Sequence, residues 1–68
     1  MSRTPNPAKD LGVSIREARK FMKWTQRELS KRAKVSRPTI ARVETGGNVS
    51  TGSLRKILDA LSKDLTIT

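Results

Sequence analysis

The stretch Thr25-Gln-Arg-Glu-Leu-Ser-Lys-Arg-Ala-Lys-Val-Ser-Arg-Pro-Thr-Ile-Ala-Arg-Val-Glu44 decides the fold. Thr25 and Glu28 form a capping box: the threonine hydroxyl accepts from the N3 amide while the glutamate reaches back to the threonine amide. Trp24 before the cap and Leu29 at N4 are placed to make a hydrophobic staple. The helix they open runs to about Ala33. Ser36 repeats the arrangement, with Val35 before it and Ile40 at N4, and opens a helix from Arg37 to about Glu44. Only Lys34, Val35 and Ser36 separate the two helices.

Working outward, Ser50 starts a third such unit, flanked by Val49 and Leu54, and its helix reaches about Leu61. The connection before it, Gly46-Gly47-Asn48, tolerates the positive φ that a helix C-terminus requires. On the N-terminal side, Leu11, Ile15, Ala18 and Met22 recur at spacings of four, three and four, one apolar stripe of a helix. Two starts fit that helix. Asn6-Pro7 reads as N-cap and first helical residue, and Ser14 with Glu17 reads as a later capping box. The tail Asp64-Leu-Thr-Ile-Thr68 alternates polar and apolar residues, the pattern of a short strand. A lone strand leaves its backbone groups unpaired, so the tail is expected to pair with the same tail of a second chain.

With 68 residues the chain has room for one domain. Its 34% hydrophobic content makes a thin core, in the size range where partner chains, metals or crosslinks often add stability. There is no Cys or His, so disulfides and the usual zinc ligand sets are unavailable, as are a thiol nucleophile and an imidazole acid–base. No Gly-rich phosphate cradle appears. An enzyme is not expected, nor a cofactor. Residues 1–9 lack the apolar core of a secretory signal, and no apolar run is long enough to span a membrane. The absence of Cys fits a reducing cytoplasm.

Charge carries the functional signal. Fifteen Lys and Arg against six Asp and Glu give +9, a balance that favours polyanions. Ten of the cations lie between Arg16 and Arg42, with only Glu17 and Glu28 among them; from Val43 onward the charges nearly cancel. Two short helices joined by a three-residue turn are the helix-turn-helix signature, whose second helix enters the DNA major groove. At 100° per residue, Ile40, Val43 and Glu44 share the inner face of that helix. Pro38, Ala41, Arg42 and Thr45 point outward, with Arg37 projecting from the first turn. Glu44 therefore falls on the buried side, where an unpaired carboxylate is costly. An ion pair with Arg19 of the first helix is expected to neutralise it. Trp24 reads as core and staple, and Phe21 lies off the first helix's stripe.

These residues resemble the Xre family, the helix-turn-helix of lambda-type phage repressors and Cro. The likeness rests on Ile15-Arg-Glu-Ala-Arg19, Trp24-Thr-Gln-Arg-Glu-Leu29, Val35-Ser-Arg, Thr39-Ile-Ala-Arg-Val-Glu44 and Gly46, and covers about Leu11 to Leu61. Two positions depart from the pattern: Ser30 stands where the family usually has Ala, and Lys34 where it usually has Gly. A lysine at positive φ costs on the order of 1 kcal/mol. The tail, with Leu65, Thr66 and Ile67, is similar to HipB-type antitoxins, whose strands pair between subunits.

The resemblance implies an all-α, four-helix lambda-repressor-like domain over residues 7–62, with a recognition helix at about 37–44. Residues 1–6 would be a flexible arm, and 63–68 a dimerisation strand carrying Leu65, Thr66 and Ile67. It implies base contacts from Ser36, Arg37, Pro38, Ala41 and Arg42, the arginines donating pairwise to guanine O6 and N7 and Pro38 with Ala41 meeting thymine methyls. Phosphate contacts fall to Thr25, Gln26, Arg27, Lys34 and Thr39. The implied partners are double-stranded DNA with a palindromic operator, a second copy of the chain, and a HipA-type kinase toxin whose operon the protein represses. The rivals are a phage-type or restriction-modification regulator without a toxin, and a module whose main task is to hold a toxin. RNA and membrane surfaces fit less well, for want of stacking aromatics and of a broad apolar helix face.

Overall fold

A computed structural model describes residues 7–65, with side chains for residues 10–63. Four helices follow one another: α1 Pro7–Phe21, α2 Gln26–Ala33, α3 Arg37–Glu44 and α4 Thr51–Leu65. Of the two starts read for α1, the earlier is used, and the helix ends one residue short of Met22; Asn6 lies outside the described residues.

The expected C-terminal strand is overturned. Lys63, Asp64 and Leu65 form the last turn of α4, and no strand occurs among the described residues. The domain boundary expected after residue 62 therefore falls inside a helix. Leu54, Leu58, Leu61 and Leu65 recur at spacings of four, three and four, so the helical period continues through the residue assigned to the strand. Extending an existing helix gains one hydrogen bond per residue fixed, whereas a lone strand gains none. Thr66 and Ile67, like the arm over residues 1–6, lie outside the described residues.

The core is drawn from all four helices: Ile15; Leu29 and Ala33; Ile40 and Val43; Ile57, Ala60 and Leu61. Leu11, Ala18, Trp24, Val35, Val49 and Leu54 close its edges. The staple residues Trp24, Val35 and Val49 thus pack against the core just outside the helices they precede. Gly12 lets α1 approach α3: a Cβ there would run into the Val43 carbonyl oxygen and lie 3.1 Å from that of Glu44.

The first three helices end the same way. After α1, Lys23 N donates to Lys20 O and Trp24 N to Arg19 O; after α2, Lys34 N donates to Lys31 O and Val35 N to Ser30 O; after α3, Gly46 N donates to Val43 O and Gly47 N to Arg42 O. Each is a Schellman closure, with a left-handed residue at its hinge. The hinge φ values are 62° at Lys23, 60° at Lys34 and 85° at Gly46. Two of the three hinges are lysines, whose ammonium groups offset the negative end of the helix dipole and so counter part of the steric cost of that conformation.

Candidate nucleic-acid interface

Two caps set the relation between α2 and α3. The Thr25 hydroxyl accepts from Glu28 N at 3.0 Å, and the Glu28 carboxylate accepts from Thr25 N at 2.7 Å. Ser36 Oγ accepts from Thr39 N at 3.3 Å and lies 2.7 Å from Thr39 Oγ1. Pro38 occupies the first turn of α3, where its missing N–H leaves nothing unpaired. Lys34 holds the left-handed conformation that the family pattern fills with glycine, so the turn keeps its geometry.

Ile40, Val43 and Glu44 turn inward from α3, as the helical period requires. On its other side Ser36, Arg37, Pro38, Arg42 and Thr45 are exposed, and Thr39 and Ala41 are half-buried. Thr45 spends its hydroxyl on the carbonyls of Ala41 and Arg42.

A chain of polar contacts runs from the core to this face. Arg19 donates from Nε to Glu44 Oε2 at 2.7 Å and from Nη2 to Oε1 at 3.1 Å. The two side chains are 12% and 3% exposed. A third guanidinium nitrogen, Nη1, donates to Trp24 O at 2.8 Å, tying the α1–α2 turn into the pair. Gln26 Nε2 also donates to Glu44 Oε1, at 3.2 Å, and Gln26 Oε1 accepts from Arg37 Nη1 at 3.2 Å. Arg37, the outermost member, is thereby held by a side chain that is itself held by a buried carboxylate. Beside the chain, the Arg32 guanidinium stacks over the Trp24 ring, 4.2 Å from its centroid.

Neither acid of the α2–α3 unit opposes an incoming anion. Glu28 is engaged in its cap and Glu44 is buried and paired. Arg27, Lys31, Lys34 and Arg42 have no carboxylate partner among the described residues. Of the residues singled out for phosphate contact, Arg27 and Lys34 are exposed cations, Thr25 is committed to its cap, and Gln26 has both ends of its amide engaged. Leu65, assigned to a dimer strand, belongs to α4.

The structure adds residues that sequence reasoning passed over. A hollow of about 300 Å³ lies between α3 and the start of α4, lined by Pro38, Thr39 and Arg42 on one side and Asn48, Ser50 and Ser53 on the other. Ser50 was legible only as a cap, which it is: its Oγ accepts from Ser53 N at 3.0 Å. Nothing in its spacing shows that the cap of α4 borders the outward face of α3.

The profile of a family described as helix-turn-helix matches residues 15–67, most of the chain. The chain belongs to that family, in its Xre/Cro-like form. It is therefore a DNA-binding helix-turn-helix domain, a module of transcription regulation and not an enzyme. Among curated proteins no match is found. No helix among the described residues is long and apolar enough to cross a membrane.

Proposed function

We propose that the protein is a sequence-specific transcriptional repressor that binds a palindromic operator as a homodimer. In this reading α3 lies in the major groove, Arg37 and Arg42 read guanines, and Pro38 with Ala41 meets thymine methyls. Ser36 sits at the groove edge as cap and contact. Thr25, Gln26, Arg27, Lys34 and Thr39 flank the backbone, and the arm over residues 1–6 precedes the domain. The observation that carries the reading is the polar chain ending on Arg37. A guanidinium fixed by Gln26 Oε1 at 3.2 Å loses less side-chain freedom on binding than an unrestrained one.

The HipA-type toxin partner rested on a C-terminal strand, and α4 takes the place of that strand through Leu65. The repressor reading stands without it.

Selection of binding sites from a random DNA pool, followed by gel shifts, tests the proposal. Arg37→Ala is expected to flatten preference at one base position per half-site, at a cost of about 1–3 kcal/mol there. Lys34→Ala is expected to weaken all sequences alike. An Arg37→Ala protein that keeps the wild-type preference would refute the assignment of α3 as the reading helix.

A further inference from the structure

Phe21 is 75% exposed and Leu58 37% exposed; they belong to α1 and α4, outside the α2–α3 pair. Phe21 follows Ser14 by seven residues and so lies on the same stripe of α1. Between that stripe and α4 is an apolar hollow of about 210 Å³, lined by Leu11, Ser14, Ala18, Leu58 and Leu61 among others. A second hollow of about 270 Å³ adjoins it across Leu58, bordered by Leu54, Arg55 and Asp59. Thr51, Arg55, Leu58 and Ser62 recur at spacings of four, three and four, one continuous stripe of α4 beside its core-facing side.

Arg55 and Asp59 stand one turn apart at the edge of this patch, and neither has an ionic or hydrogen-bond partner among the described residues. Their order, with the cation N-terminal to the acid, is the less favourable one for a pair within a helix. We propose that the α1–α4 face is where a second copy of this chain docks, with Phe21 as the protruding anchor, the hollows beside Leu58 as its receptacle, and Arg55 facing the partner's Asp59. The inference rests on the homodimer reading above and supplies the surface it needs.

The argument is one of self-complementarity. A two-fold interface uses the same patch twice, so it needs both a knob and a hole, and both signs of charge. This face has all four. On α4 this face sets one cation, Arg55, beside one acid, Asp59, whereas the outward side of α2 and α3 would set Arg27, Lys31, Lys34, Arg37 and Arg42 against the same five of a second copy. Leu58 lies eight residues along α4 from its cap, about 12 Å from the α3 side, so docking there leaves α3 open to DNA.

Sedimentation equilibrium of the full chain tests this with four variants: Phe21→Ser, Arg55→Asp, Asp59→Arg, and the exchange of both charges in one chain. Far-UV circular dichroism and binding to a single half-site check that each variant folds. Each single variant is expected to raise the dimer dissociation constant about tenfold or more, and the double exchange to restore it to within about threefold of wild type. A dimer indifferent to all four variants overturns this face and leaves the homodimer reading standing. Single reversals that the exchange does not rescue overturn the Arg55–Asp59 pairing. A wild-type chain that stays monomeric and binds its operator as one copy overturns both.

Discussion

Glu44 is 8% exposed and accepts three hydrogen bonds, two from Arg19 and one from Gln26. A carboxylate taken out of water is tolerated only when its oxygens are used in this way. Truncation to alanine would leave the Arg19 guanidinium with the Trp24 carbonyl alone and free the Gln26 amide. Glu44→Ala is expected to cost about 3–5 kcal/mol, a large share of what so small a domain has to lose. Urea denaturation followed by circular dichroism measures it, and a loss below about 1 kcal/mol would mean that solvent already screens the pair. The same variant should loosen Arg37, because the glutamine that holds it would lose its own anchor. Most of this was legible. Assigning Glu44 to the inner face of α3 called for a cation, Arg19 was the one expected, and the two side chains pair. The link from Gln26 to Arg37 was not, because it depends on the two helix starts lying side by side in space.

At the scale of elements, capping chemistry located α2 and α3 closely, since Thr25 and Ser36 leave few alternatives for where the backbone turns. The ends of the chain were harder. Gly12 is a poor helix former, yet it stands inside α1 where α3 passes too close for a side chain. That reason lies at Val43 and Glu44, far along the chain, and has no local signature. The tail misled in the opposite sense: its alternation reads as a strand, yet Asp64 and Leu65 continue α4. Lys23 is the clearest case of a backbone conformation hidden by residue type, whereas the left-handed hinge at Lys34 was legible only through the family pattern that puts glycine there. Lys34→Val tests the hinge. A β-branched residue is far less tolerant of that φ, so the variant is expected to lose about 1–2 kcal/mol, read as a lower thermal midpoint. A melt unchanged from wild type would show that the α2–α3 turn can close in another way.

On the scale of the whole molecule, the cations crowd between Arg16 and Arg42 while the charges from Val43 onward nearly cancel. If Arg27 and Lys34 each neutralise one phosphate per copy, a bound dimer releases counterions with a log–log salt slope of about −3.6. Lys34→Ala should make that slope shallower by about 1.8. Titrations at several salt concentrations give both numbers, and an unchanged slope would take Lys34 off the phosphate backbone. The core of the domain and the polar chain that ends on Arg37 meet at one place, the turn around Trp24. That residue is the only tryptophan in a chain without tyrosine, and it lies against the core with Arg32 stacked on its ring and Arg19 bound to its carbonyl. The protein therefore carries a single near-ultraviolet chromophore of useful strength. Its emission reports on one turn of the backbone, free of competing signals, and does so without any label.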